Sequence, residues 1–448
     1  MRTGMDTGCE RIVATLRSIV SIPTVSDPSN NKLITLSDAE TIRQHLPSPN
    51  NYTTISEGPP RPILLRKTGS GRPITLLLAH YDVVPPGPGW TVTEPFKPRI
   101  LDGKLYGRGS ADDKSNVAAI SHAIEKYTPR RGTVIVAFTG DEEIGGQSAK
   151  WLADHLEKEG LTPDYVVNGD GSLSRVIIRR RAGFTVTVTA RSEPDSVRGY
   201  KHRIEARSAL VRQTMHSAYF IPGTDRHPLV ELSLKVRDED LLVSSLNGEW
   251  VKNNVIPRSA HAVVVKPDPE GSIVRVDYGL TMLLRSVLPI TRAPIPTEKY
   301  SDYGVSINPN VYKYDSGFHV LKIDIRAMTL DKDSIKNQIE LIIDENNYEN
   351  IKYHVEIRGG SGYLYTPSSA ELVNHAIEIN KTLGLPGRPI EAGGASDSRY
   401  FSPRIGQVID YGPLGANIHG PDEHVYIKHL CKAAIFYRRL IERIHGGG

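Results

Sequence analysis

The sequence predicts an α/β protein: a mainly parallel sheet flanked by helices, with a separate α+β domain inserted into it. Three observations carry this. Two continuous apolar runs, "ITLLLA" (74–79) and "TVIVAF" (133–138), read as strands buried on both faces, as in a parallel sheet. A segment of helical period lies between them, and a helix and a further short strand follow, giving a strand–helix–strand–helix–strand order. After about residue 180 the texture changes to period-two alternation, which reads as half-exposed antiparallel strands.

Taken in order, residues 8–20 read as a helix with Ile12, Val13, Leu16 and Ile19 on one face. The run 74–79 is the first buried strand. "NVAAISHAIEKY" (116–127) has helical period, and 133–138 is the second strand. "SAKWLADHLEKEG" (148–160) is a helix ended by Gly160, and "DYVVNGD" (164–170) a short strand. In the middle block "FTVTVTAR" (184–191) and "HVLKIDIRA" (319–327) alternate. "DSIKNQIELIIDE" (333–345) reads as an amphipathic helix capped by Asp333 or the polar residues before it. From 368 onward the first pattern returns: a helix (368–383), the strand "GQVIDY" (406–411), a polar loop and a final helix (425–444). The predicted domains are therefore 1–179 with 363–448, and 180–362. A length of 448 residues fits two or three domains.

Composition narrows the function. A hydrophobic content of 39% and a charged content of 24% fit an ordinary packed core. The net charge is only +4, and basic residues are scattered apart from Arg179, Arg180 and Arg181, a poor footprint for nucleic acid. Cys9 and Cys431 stand near opposite ends, with no CxxC pair and no disulfide framework expected. Any metal must therefore be held by histidine and carboxylate. No apolar run approaches the ~18 residues of a membrane span, and the N-terminus lacks a signal pattern. A soluble cytoplasmic protein with no membrane or nucleic-acid partner is the expectation.

The residues capable of chemistry share one position. His80 and Asp82 follow the first apolar strand, "GDEE" (140–143) the second and "NGD" (168–170) the third. Ligands of open α/β sheets bind beyond the carboxyl ends of the strands. Histidine and carboxylate on three such loops make a metal-site constellation. "YGRGSADDKS" (106–115) adds Asp112 and Asp113 just before a helix, and "ANIHGPDEH" (416–424) adds His419. Singly, each feature has a blander reading. Most of the 15 histidines are expected at the surface, and His122, His155 and His375 fall inside predicted helices. Asp-Glu-Glu alone reads as a solvated turn. Gly107-Arg108-Gly109 lacks the ending of a phosphate loop and reads as a sharp turn.

Together the motifs decide. "AHYDVVPPGPGW", "PFKPRILDGKLYGRGSADDK", "TGDEEIGG", "NNVIP", "GGASDSRYF" and "IHGPDE" occur in the order found in the M20 metallopeptidase family, and the chain resembles that family over nearly its whole length. The family includes succinyl-diaminopimelate desuccinylase, acetylornithine deacetylase, aminoacylase and glutamate carboxypeptidase. The resemblance implies a two-metal hydrolase with a catalytic domain and an inserted lid that often mediates homodimerisation. It implies His80 and Asp170 on one metal, Glu143 and His419 on the other, and Asp112 bridging both. Glu142 is implied as general base and Asp82 as the carboxylate that accepts the spare N–H of His80. A cis peptide is implied at Asp112–Asp113. His216, in "TMHSAYF", is implied as oxyanion stabiliser from the lid, and Asn254 as a substrate contact. Arg399 is a candidate grip for a substrate carboxylate.

The chemistry is consistent with these roles. Without thiolates, zinc takes imidazole and carboxylate, and cobalt or manganese suit the same donors. A shared carboxylate allows two cations ~3.5–4 Å apart to act on one water or carbonyl. A carboxylate behind a metal-bound His fixes its tautomer and orientation. Three departures bear on substrate. Arg326, the best match to the family's lid arginine, lies 72 positions after Asn254 (326 − 254), implying an insertion over roughly 265–317. Ser-Asp-Ser-Arg stands where desuccinylases have Ser-Asp-Gly-Arg, and Asp170 where they have Glu; the latter leans toward a peptidase or aminoacylase. The expected activity is hydrolysis of a linear amide in an N-acyl-amino acid carrying a free carboxylate. The alternative is a dipeptidase or carboxypeptidase, and an inactive binding homologue would require loss of a ligand or of Glu142.

Overall fold

The computed structural model describes residues 7–171, 173–212, 214–297 and 305–446. The chain separates into two compact units, residues 1–180 with 363–448, and residues 181–362.

The first unit is built on a nine-stranded sheet. At its centre lie three parallel strands, Ile74–His80, Gly132–Thr139 and Tyr165–Asn168, with Val408–Asp410 parallel to the third. Every residue of Ile74–His80 and Gly132–Thr139 is buried, which is why neither run alternates. The sheet is mixed rather than mainly parallel. Ile63–Ser70 pairs antiparallel with Gly132–Thr139 on one side, and Ile177–Arg180 pairs antiparallel with Val408–Asp410 and Leu364–Tyr365 on the other. These outer strands are short or half polar, so periodicity alone does not mark their direction.

Apolar faces of four helices cover one side: Thr7–Val20, Lys114–Ala123, Glu371–Thr382 and Ile427–His445 pack into one core with Leu77, Phe138 and Ile409. Gln147–Lys158 covers the other side through Ala149, Leu152 and Leu156. The terminal helices come close enough for Cys9 and Cys431 to form a disulfide, with Cα atoms 5.3 Å apart. That overturns the expectation of unpaired cysteines: a separation of 422 residues conceals a contact made only in the folded chain.

The second unit contains two four-stranded antiparallel sheets. In one, Ser306–Asp315, Phe318–Ala327, Ala182–Arg191 and Tyr353–Gly359 lie in that order. The alternation seen in the sequence places Phe184, Val186 and Val188 in the core. In the other, Leu242–Gly248, Ser259–Pro267, Pro194–Arg207 and Ser272–Asp277 lie in order. Helix Lys332–Glu345 is capped by Asp331, whose side chain accepts from the Ser334 N–H at 2.9 Å. The segment 265–317 is no appendage: it supplies the strand Ser272–Asp277, the mostly buried helix Tyr278–Ile290 and the strand Ser306–Asp315. Its residues 298–304 lie outside the described residues.

Candidate metal centre

Parallel pairing aligns the ends of the three central strands: His80 lies opposite Thr139, and Leu78 opposite Asn168. The residues that follow each strand therefore emerge on one edge. His80 is the last residue of its strand; Glu142 and Glu143 open a 3₁₀ turn after the second, and Asp170 follows the third.

Asp112 enters from the loop before helix Lys114–Ala123, and the Asp112–Asp113 peptide is cis, as the resemblance implied. One Asp112 oxygen lies 3.0 Å from His80 Nε2, and the other lies 3.2 Å from His419 Nε2. His419 Nε2 is also 3.0 Å from a Glu143 oxygen. Donor atoms of His80, Asp112 and Glu143 lie within 4.8 Å of one another, as do those of His80, Glu142 and Asp170. All five proposed ligands and Glu142 thus converge.

The electrostatics fit a cation pair. Four carboxylates and two imidazoles meet in a largely buried space, where unpaired charge is costly. Burial raises Glu142 and Glu143, the latter to about 7 despite His419. Burial likewise pushes Asp170 well above the usual carboxylate range, with Arg180 opposing. Burial pulls His80 down, but Asp112 and Asp82 outweigh it and hold the imidazole well above its ordinary value. His419 is pulled down by burial and lifted by Asp112 and Glu143 to about 11. A buried set of N and O donors carrying this much negative charge suits divalent cations.

Supporting side chains hold these groups. Asp82 is fully buried; its carboxylate accepts from the N–H groups of Glu142 at 3.1 Å and Glu143 at 3.3 Å, and lies 3.4 Å from His80 Nδ1. His80 Nδ1 is closer, at 3.1 Å, to the Asp82 backbone carbonyl. Asp82 therefore orients the Glu142–Glu143 turn as well as the imidazole, a role its spacing does not reveal. Glu423, also fully buried, accepts from the N–H groups of Gly109, Ala111 and Asp112 and pairs with Arg108. It joins the His419 loop to the Asp112 loop. Arg180 pairs with Asp410 at 2.5 Å and hydrogen-bonds the Asp170 carbonyl. Glu423 ends the motif "IHGPDE", and Arg180 sits in the Arg179–Arg181 run. Neither carries a local signal of its role.

Arg399 is buried, 3.5 Å from Glu142 and 3.6 Å from Asp397. Its guanidinium faces Glu142 rather than open space. The remaining sequence candidates lie in the second unit and gather there. His216 Nδ1 accepts from the Ala218 N–H at 3.1 Å, so Nε2 carries the proton of the neutral ring; the Asn254 side-chain nitrogen 3.3 Å away is itself a donor and offers that proton no acceptor. Burial, and then Arg326, lower the His216 pKa, favouring that neutral form. Arg326 is clasped by Asp324 through two contacts of 3.0 Å, and Asp324 accepts from Ser217 beside His216.

Histidine and carboxylate donors that meet at one sheet edge, in two groups sharing His80, could hold metal ions, as a metallohydrolase requires. The chain belongs to peptidase family M20/M25/M40, whose family model matches residues 76–443. It is 29% identical over 398 residues to a succinyl-diaminopimelate desuccinylase of Xanthomonas euvesicatoria pv. vesicatoria (strain 85-10), covering 84% of this chain and 85% of the relative. It shares its fold with the aminoacylhistidine dipeptidase of Vibrio alginolyticus, with a TM-score of 0.72 at 16% identity, covering 97% and 96% of the two chains. Human carnosine dipeptidase 1 is also similar, with a TM-score of 0.53 at 17% identity over 97% of each chain. Among the described residues no helix is long and apolar enough to cross a membrane.

Proposed function

We propose that this hydrolase removes the acyl group from an N-acyl-amino acid, in the manner of a desuccinylase or deacetylase. The single observation that carries the hydrolytic centre is Asp112, whose two oxygens face two different imidazoles. His80, Asp112 and Asp170 would hold one divalent cation, and Asp112, Glu143 and His419 the other; zinc is favoured, and cobalt or manganese suit the same donors. Bound there, the cations would supply electrophilic polarisation of the scissile carbonyl and of water.

The chain's own residues supply the proton chemistry. Glu142 is raised by burial and held by Arg399, which suits a group that takes a proton from water and returns it to the leaving amine. Asp82 holds the turn that aims it. His216 presents a protonated Nε2, the donor a tetrahedral oxyanion requires. Asn254 and Arg326 cluster with His216 and are the substrate contacts we assign to the second unit, with Arg399 serving the base. The likeness to desuccinylases favours the deacylase. Asp170, where desuccinylases have Glu, leans toward a peptidase or an aminoacylase, and a dipeptidase is the second reading. The cytoplasm is the proposed compartment, and a homodimer through residues 181–362 the proposed assembly.

A panel of N-succinyl and N-acetyl amino acids and dipeptides, assayed with added zinc or cobalt, tests this. Release of succinate or acetate is expected. Free amino acids from dipeptides alone would overturn the deacylase in favour of the second reading.

A further inference from the structure

The second unit holds a cleft of about 630 Å³ that no step of the hydrolysis uses. Its floor is a cluster of buried polar groups centred on Asp277 and His319. Asp277 accepts from Ser192 Oγ, from the N–H of Glu193 at 3.3 Å and from the N–H of Leu280 at 3.1 Å. His319 Nε2 lies 3.0 Å from the same carboxylate, and His319 Nδ1 lies 2.9 Å from the Tyr312 hydroxyl. Burial opposes ionisation of Asp277, yet His319 and Ser192 hold its carboxyl well below the usual range. These contacts fix the ring positions, while His319 Nε2, buried, makes no directed hydrogen bond.

The walls are different. Tyr312 stacks on His319 at 6.0 Å, Trp250 meets Tyr312 edge-on at 6.2 Å, and Tyr314 lies 5.1 Å from His319. Tyr314 is 58% exposed, although these polar groups hold its neighbour in place. Arg275, on the same cleft, is exposed and has no carboxylate partner among the described residues. Asn247 and Ser245 add neutral hydrogen-bonding groups. Rigid aromatic faces take a planar ring at low entropic cost, and a lone guanidinium takes an anion. The volume lies within the range of small-ligand sites.

We propose that this cleft binds a small planar aromatic anion: one ring against the aromatic cluster and one phosphate or carboxylate on Arg275. The inference uses no residue of the metal centre, so it stands or falls independently of the substrate assignment.

The test is calorimetric titration of the metal-loaded, full-length protein with AMP, indole-3-acetate, adenosine and inorganic phosphate. Two variants, Trp250→Ala and Arg275→Ala, are titrated alongside, and hydrolysis is followed in each. Saturable binding of AMP or indole-3-acetate is expected, whichever anion the site takes. Adenosine and phosphate should bind at least tenfold more weakly than AMP, and both variants should lose at least tenfold in affinity with hydrolysis unchanged. No saturable binding overturns the proposal, as does equal binding by both variants. Phosphate binding as tightly as AMP removes the ring from the site and also overturns it. If Trp250→Ala fails to fold, Arg275→Ala, at an exposed position, still decides.

Discussion

Asp82→Ala separates two ways in which a buried carboxylate can support the centre. If Asp82 served only His80, its loss would weaken cation binding, and saturating metal would restore full turnover. The structure predicts more. The carboxylate accepts from two backbone N–H groups of the Glu142–Glu143 turn, and removing it leaves both without a partner. Each orphaned buried donor costs roughly 1–3 kcal/mol, so the turn would face about 2–6 kcal/mol if it stayed in place. It will instead move, carrying Glu142 and Glu143 with it. The imidazole keeps its 3.1 Å contact with the Asp82 carbonyl, which the substitution leaves intact. We therefore expect affinity for the cations to fall about 10–100-fold, as for other groups that orient metal ligands, with kcat at saturating metal also down at least tenfold. Asp82→Asn keeps one acceptor oxygen and should fall between. Chelator-buffered zinc titrations give the affinity, and kcat at saturating zinc gives the second quantity. Asp82→Ala with kcat at saturating zinc within twofold of the unaltered enzyme would refute the reasoning.

Other outcomes follow from single contacts. Glu142→Ala should leave metal content unchanged while lowering turnover at least ~100-fold, checked by elemental analysis and steady-state kinetics together. Buried His227, whose Nε2 lies 3.0 Å from Asn310, is pushed down by burial from 6.5 to about 4. The unfolded chain thus binds this proton at a higher pH than the folded one. The associated stability is complete above about 6.5 and is lost as pH falls toward 4, a total of about 3 kcal/mol. Urea unfolding of the second unit across that window, beside His227→Gln, reads it; parallel slopes in the two proteins would count against the assignment. Cys431→Ser opens a loop of 422 residues and should cost about 2–4 kcal/mol, measured as a lower Tm under oxidising conditions that dithiothreitol reproduces in the unaltered protein.

Much of the site is legible in the sequence because local pattern and geometry coincide there. A strand buried on both faces must read as an unbroken apolar run, and the residues just past its end must lie at the sheet's edge. The strand pattern alone therefore places His80, Glu143 and Asp170 together. What escapes depends on pairings between distant segments. Arg180 meets Asp410 across 230 positions, and Arg108 meets Glu423 across 315. A buried ion pair of this kind leaves no periodicity in either strand or loop. Strand direction escapes for a related reason: a short strand such as Val408–Asp410 is buried whichever way its neighbours run. Arginine beside a cleft commonly grips a substrate anion, which is the role the sequence suggests for Arg399. It is instead buried, with its guanidinium 3.5 Å from Glu142.

The sulfur–sulfur link between the first and last helices also shapes what proteolysis can do. A protease that nicks any single bond between residues 9 and 431 produces no free fragment. The two pieces remain one molecule on a non-reducing gel and part only when thiol is added. Damage to an exposed loop would thus be held in place, giving the nicked chain an opportunity to keep working.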